Sequence, residues 1–160
     1  MSRLAIAAVG MALLVPSALA QDMPNFAVLD ARYAPAVLRQ CSRPTPEPLT
    51  GTWRPTDADI KALEARLPQL QALESTQCCS PQARVKDPGT YYRQYVGVVI
   101  GNRKVIYINA FRAPIIDATN RKDRWRYEPV LVCDGGDGFW GAIYDPETKE
   151  FSELAFNGVA

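Results

Sequence analysis

Hydrophobic spacing marks one clear helix in the N-terminal half of the chain. Its apolar residues recur three and four positions apart and share one face: Ile60, Leu63, Leu67 and Leu70. Thr56 is a good N-cap, and Asp57 and Asp59 place carboxylates in the first turn, where the helix dipole favours them. Pro68 should kink the helix or end its first segment near Leu67. We therefore predict a helix that begins after Thr56 and buries its apolar face.

From Tyr91 onward the pattern is that of β-strands. The predicted strands are Arg93–Ile100, Lys104–Phe111, Val130–Cys133, Phe139–Tyr144 and Phe151–Phe156. Residues 101–103 form a tight hairpin, residues 145–149 form a second turn, and a bulge is expected near Ser152, where alternation breaks. The continuous apolar run Val130–Cys133 is typical of a central strand. One main helix packed on an antiparallel sheet of about five strands buries both apolar surfaces, so we predict an α+β fold.

The start of the chain, residues 1–20, is typical of a secretory signal peptide. Arg3 precedes an apolar run from Leu4 to Val15, and Ala18-Leu19-Ala20 offers a cleavage site before Gln21. The apolar run is shorter than the ~20 residues that a transmembrane helix needs. We therefore expect a periplasmic or secreted protein that is not inserted in the membrane after signal cleavage.

Residues 21–55 form a proline-rich N-terminal arm, in which long helices and strands are not expected because proline lacks a backbone donor. The arm admits a short helical turn around Ala34–Gln40. Residues 56–160 form the α+β domain, and residues 21–160 are expected to make one globular unit. Without Arg3 the chain has as many basic as acidic residues, and this balance argues against nucleic-acid binding.

The four cysteines of the chain favour disulfide bonds, because an exported protein meets an oxidising compartment. They are Cys41, Cys78, Cys79 and Cys133. A bond between the neighbours Cys78 and Cys79 would close a strained ring, so we place that pairing last. The two favoured pairings join Cys41 to one of these neighbours and Cys133 to the other. The spacing and the absence of histidine argue against a redox pair or a zinc site, and we predict no metal and no cofactor.

Catalytic chemistry has little support in the residues. The chain has no histidine, which removes Ser-His-Asp and Cys-His nucleophiles. Asp134 and Asp137 are the best carboxylate pair for a glycosidase-like site, and calcium binding is a further alternative. However, the glycines of residues 134–138 are more typical of a turn, since glycine supplies positive φ and Asp bonds to its own backbone. We predict that the protein is not an enzyme.

Two groups of aromatic and basic residues are candidates for binding. Residues 121–126 surround Trp125 with positive charge, although a solvated loop whose Trp packs on the sheet is the favoured interpretation. Tyr91, Arg93 and Tyr95 alternate onto one face of a strand and are residue types that dominate interfaces. Asn109 lies in an apolar strand and should be hydrogen-bonded, either to backbone or to a ligand. The candidate binding residues are Arg93, Tyr95, Asn109, Trp125, Asp134, Asp137 and Trp140.

Five segments together resemble a recurrent pattern of small exported bacterial proteins of unknown function. They are RQYVG at 93–97, VIYINAF at 105–111, VCDGG at 132–136, FWG with YD at 139–145, and FNG at 156–158. The likeness covers residues 41–160. It implies a bacterial, periplasmic protein, and it implies no activity.

Three functions follow as hypotheses. The first is a non-catalytic binding module of the bacterial envelope, such as an inhibitor or immunity-type protein, which predicts an exposed patch of Tyr, Trp and Arg and a protein partner. The second is a binder of a small envelope ligand, either a glycan from the cell wall or a peptide fragment, which predicts a concave, aromatic-lined site. The third is a carboxylate-based hydrolase, which predicts two carboxyl groups facing each other at ~5–10 Å.

Overall fold

A computed structural model of the chain describes residues 24–75, 82–112 and 123–159. The signal-peptide residues, Cys78, Cys79 and most of the segment from Pro114 to Arg124 lie outside these ranges. The helices are α1 (Ala34–Leu38) and α2 (Asp57–Arg66). The strands are β1 (Phe26–Val28), β2 (Leu49–Trp53), β3 (Tyr92–Ile100), β4 (Arg103–Phe111), β5 (Phe139–Asp145) and β6 (Glu150–Phe156). The predicted α+β class is confirmed.

The strands form one mixed sheet of six, in the order β1-β3-β4-β5-β6, with β2 also paired to β3. β1 is parallel to β3, and all other pairings are antiparallel. β1 pairs with residues 93–95 of β3 and β2 pairs with residues 97–100. The two short strands therefore share one edge of β3, which corrects the prediction of about five antiparallel strands.

β1 and β2 come from the proline-rich arm, where long strands were not expected, and they have three and five residues. Pro48 and Pro55 lie just outside β2 and leave its backbone donors intact. At the end of this pairing Gly97 is needed for close approach: a Cβ there would lie 2.3 Å from the Trp53 carbonyl oxygen and 2.8 Å from Pro55 Cδ. The arm is thus a part of the sheet.

The segment Val130–Cys133 is irregular, so the prediction of a central strand is wrong. Side chains satisfy its backbone in place of a strand ladder. The Val130 N–H donates to Gln94 Oε1 (2.9 Å), and the Val130 carbonyl accepts from Asn109 Nδ2 (2.8 Å). The Val132 carbonyl accepts from Asn157 Nδ2 (2.6 Å). Leu131 is exposed, so the apolar run is only partly buried.

Helix α2 begins as predicted. The Thr56 hydroxyl accepts from the Asp59 N–H (3.2 Å), and the Asp59 carboxylate accepts from the Thr56 N–H (2.8 Å), which makes a capping box. The α-helix ends at Arg66, and Pro68 lies in a 3₁₀ segment, Leu67–Ala72. The predicted apolar residues are all buried against one face of the sheet: Ile60, Leu63, Leu67 and Leu70.

The other face of the sheet is covered by α1 and the arm. Leu29, Val37 and Leu38 pack there with Val96 and Ile143. The sheet therefore has a helix on each face: α2 lies where the main helix was predicted, and α1 lies where a short helical turn was expected around Ala34–Gln40. Among the described residues, no helix is long and apolar enough to span a membrane.

Both predicted turns are present, and so is the bulge. Gly101 has a φ of +63° in the β3–β4 hairpin, and the Lys149 N–H donates to the Asp145 carbonyl across the β5–β6 turn. Pairing shifts between Gly141 and Ile143, which oppose Ala155 and Ser152. The extra residue of β6 leaves Glu153 at a φ of +53°.

A disulfide joins Cys41 to Cys133 across 92 positions of the chain. This corrects the favoured connectivity, in which each of them pairs with Cys78 or Cys79. The arm lies beside residues 130–134 in the fold. There the Ser42 hydroxyl donates to the Cys133 carbonyl and accepts from the Gly158 N–H. Strain in a ring closed by Cys78 and Cys79 does not indicate whether Cys41 and Cys133, which are 92 positions apart, lie close together in the fold.

Candidate functional site

The predicted binding residues do not form one exposed surface. Five of the seven are buried: Arg93, Tyr95, Asn109, Trp125 and Trp140. Asp134 and Asp137 are exposed. An exposed patch of Tyr, Trp and Arg built from these residues is therefore not formed.

Arg93 and Tyr95 share a face, as alternation predicted, and that face lies under α2. Arg93 Nε and Nη2 contact the two oxygens of Glu64 at 3.2 and 3.1 Å. Arg93 Nη1 donates to the carbonyls of Pro88 and Gly89, and the Tyr95 hydroxyl donates to Glu64. Burial raises the pKa of Tyr95 well above its ordinary value. These two residues fasten α2 to the sheet.

The tryptophans are packing residues. Trp125 contacts the rings of Tyr92 and Phe111 with centroids 5.0 and 5.9 Å apart, and the Arg126 guanidinium lies 4.3 Å from the Trp125 centroid. Within residues 123–126 the Trp thus packs back onto the sheet, as favoured from the sequence. Trp140 meets Tyr91 edge-on on the α2 side.

The loop with Asp134 and Asp137 is a turn. Gly135 and Gly136 have φ values of +100° and +51°, as the glycine pattern predicted. Asp137 is exposed and makes an ion pair with Arg112 at 2.9 Å. Among residues 24–75, 82–112 and 123–159, no three metal-ligating side chains are grouped to hold an ion.

Asp137→Ala should change the free energy of unfolding by less than about 1 kcal/mol, because exposed ion pairs contribute little. Gly135→Ala is the matched control in the same turn. Its Cβ would lie 2.5 Å from the Phe139 ring, and its φ is strained for alanine, so we expect a loss of about 1–3 kcal/mol. Urea unfolding of the three proteins measures both. A loss from Asp137→Ala as large as that from Gly135→Ala would contradict the turn interpretation.

Asn109 belongs to a buried polar network, as its place in an apolar strand predicted. Its side chain donates to Gln94 Oε1 (3.0 Å) and accepts from Arg43 Nη2 (2.6 Å). Gln94 in turn donates to the carbonyls of Trp125 and Glu128. Asn109 faces Gln94 on β3 and Gly141 on β5, so the network follows one row across the sheet.

Sequence reasoning missed Arg43, the arm residue that ends this row. Only 4% of Arg43 is exposed. Burial lowers the pKa of its guanidinium from the ordinary value, yet arginine keeps its charge in proteins. The only signal in the sequence is a cation within a run of prolines next to a cysteine, a pattern that is equally typical of an exposed arm.

The arm also forms a groove of about 410 Å³ beside α1. Its lining residues are Pro35, Leu38, Arg39, Thr45, Pro46, Glu47, Pro48 and Leu49. The walls are mostly aliphatic, while Arg39 and Glu47 are exposed and carry opposite charges. No candidate residue was predicted in this segment.

The groove is braced at several points. The Thr45 hydroxyl contacts the Leu38 carbonyl at 3.4 Å, and the Gly101 N–H donates to the Pro48 carbonyl at 2.9 Å. Leu49 pairs with Ile100 in the sheet. Because both ends of the segment are held, the groove is formed before any ligand binds.

Comparison with known proteins gives no assignment: no protein-family model, curated protein or solved structure matches the chain. The resemblance to small exported bacterial proteins therefore stays a prediction.

Proposed function

We propose that the protein is an exported, non-catalytic binding module of the bacterial envelope that binds short peptide fragments in the groove of its proline-rich arm. The observation that supports this most is the braced groove of about 410 Å³. Pockets for small ligands are typically about 300–1,000 Å³ and combine apolar walls with a few polar groups. This groove has both features.

The lining favours a peptide over a glycan. Aliphatic side chains of proline and leucine suit an apolar side chain of a peptide. Among the described residues, no aromatic ring on which a sugar would stack lines the groove. Arg39 can pair with a free carboxylate and Glu47 with a free amine. A short peptide carries an apolar side chain, a free carboxylate and a free amine.

Preorganisation supports binding by such a small ligand. A peptide fragment buries little area, so its affinity depends on how little the site has to reorganise. The Cys41–Cys133 bond and the pairing of Leu49 with Ile100 fix the segment that lines the groove on both sides. The envelope partner proposed here is therefore a free peptide fragment. A protein docked on a Tyr, Trp and Arg face has less support, because Arg93, Tyr95 and Trp125 are buried.

The experiment uses purified oxidised protein labelled with nitrogen-15 and a set of synthetic tri- to pentapeptides that contain one leucine. We expect saturable shifts of the amide resonances of Leu38, Arg39, Thr45 and Leu49. Peptides with both termini blocked should bind at least several-fold more weakly, because they lose both charge contacts.

Two pairs of variants test the place of binding. Thr45→Trp fills the groove and should abolish the shifts, whereas Thr52→Trp, at an exposed position of β2, should retain them. Glu47→Lys should weaken binding of free-amine peptides, whereas Glu147→Lys in the exposed β5–β6 turn should not. Equal binding by Thr45→Trp and wild type contradicts the proposal. Binding of a trimer of N-acetylglucosamine without binding of any peptide contradicts the peptide assignment.

A further inference from the structure

The guanidinium of Arg43 is buried with an incomplete set of partners. Its Nη2 is bonded to Asn109, but Nε and Nη1 have no hydrogen-bond acceptor among residues 24–75, 82–112 and 123–159. No carboxylate of the described residues forms an ion pair with it. A buried charge is stable only when it is paired and hydrogen-bonded, so this arginine requires a further partner.

A small cavity lies at this guanidinium. The space open to the centre of a water-sized sphere is about 10 Å³, and the walls include Arg43, Pro44, Pro46, Tyr107 and Gly141. The cavity therefore has room for a water molecule or a small ion.

Gly141 makes room for the side chains of Arg43 and Tyr107. A Cβ at Gly141 would lie 2.4 Å from Arg43 Nη1 and 2.5 Å from the Tyr107 hydroxyl oxygen. Both polar groups thus converge above a position without a side chain. Burial raises the pKa of Tyr107, so its phenol keeps the proton and can donate a hydrogen bond.

We propose that Arg43, with Tyr107 above Gly141, binds one monatomic halide ion, which in the envelope is chloride. The positive charge and the free N–H donors select an anion, and the small cavity favours a small one. A single water would satisfy a donor but leave the charge uncompensated.

Of the described residues, Glu153 is the one acidic side chain in the wall of the cavity. It lies at the bulge of β6 and is exposed. Because its carboxylate repels an anion, Glu153→Gln should tighten halide binding several-fold. If the Glu153 carboxylate instead neutralised Arg43, the wild type would show no dependence on halide, whereas Glu153→Gln would gain one.

The direct test is diffraction from crystals of the purified protein soaked in sodium bromide. We expect an anomalous bromide peak within hydrogen-bonding distance of Arg43 Nη1 or Nε. A water or no density at that position, with bromide bound elsewhere, overturns the proposal. This test needs no variant, so it stands even if substitution of a buried arginine prevents folding.

The solution test compares melting temperatures in sodium chloride and sodium gluconate at equal ionic strength. We expect a saturable rise with chloride for the wild type, none for Arg43→Met, and an unchanged rise for Arg103→Met, whose arginine is half exposed and paired with Asp145. An equal rise in Arg43→Met and wild type overturns the proposal. The cavity and the peptide groove share Pro46 in their walls, but the halide test changes Arg43 and the peptide test changes Thr45 and Glu47, so failure of either test leaves the other readable.

Discussion

The free energy of unfolding of the double variant C41S/C133S is expected to be about 4–5 kcal/mol lower than that of the oxidised wild type. The bond closes a loop of 92 positions, and in the chain-entropy model the gain grows with the length of the loop. Both cysteines are exposed, so serine itself changes little packing. Domains are usually stable by about 5–15 kcal/mol, which makes this loss a large fraction of the total. Urea unfolding followed by tryptophan fluorescence measures it.

The control for this prediction is the same comparison in excess reductant. There the wild type loses the bond as well, and the two proteins should have equal free energies of unfolding. Cys78 and Cys79 are present in both proteins, so their state cancels in the comparison. A difference that persists in reductant would mean that the serine substitutions act through side-chain contacts instead of the bond.

The elements that the sequence predicts well are those with local causes. The capping box of Thr56 and Asp59, the stop at Pro68 and the hairpin at Gly101 each depend on residues within a few positions of one another. The bulge near Ser152 is also local, because the break in alternation is visible in the strand itself.

The elements that it misses depend on distant partners. β1 has three residues and pairs with β3 more than sixty positions away, and nothing within such a short segment indicates a strand. Conversely, the apolar run at Val130–Cys133 predicts a strand, but side chains occupy its backbone groups in place of a neighbouring strand. They are those of Gln94, Asn109 and Asn157. Hydrophobicity alone does not distinguish these two outcomes.

The same distinction applies to the candidate sites. A strand with Tyr91, Arg93 and Tyr95 indicates either an interface or a half-buried face, and only the position of α2 decides between them. Asn109 was correctly expected to be hydrogen-bonded, but its charged partner Arg43 lies 66 positions earlier. Long-range pairing of this kind has no signature in one sequence.

The arm connects the two proposed sites. Cys41, Arg43 and the groove residues 45–49 follow one another within nine positions of the chain. The disulfide fixes the start of this segment and the pairing of Leu49 fixes its end. C41S/C133S should therefore loosen the groove and the cavity together, whereas Thr45→Trp should act on the groove alone.

Arg93→Met is the second variant with a large expected effect, a loss of about 3–5 kcal/mol in the free energy of unfolding. Only 4% of Arg93 is exposed, and its Nη2 makes an ion pair with Glu64 Oε2 of α2 at 3.1 Å. Methionine has a similar length but no donor, so the carbonyls of Pro88 and Gly89 lose their hydrogen bonds. Urea unfolding gives the loss directly.

Two further variants test whether the loss in Arg93→Met comes from the buried ion pair. Arg124→Met removes an exposed arginine whose partner Glu128 is four residues away, and we expect a change within about 0.5 kcal/mol. Glu64→Gln removes the charge that compensates Arg93 but keeps a hydrogen-bond acceptor. It should also cost about 3–5 kcal/mol, because the buried Arg93 charge then lacks its partner. An Arg93→Met loss no larger than that of Arg124→Met would contradict a role for the pair in fastening α2 to the sheet.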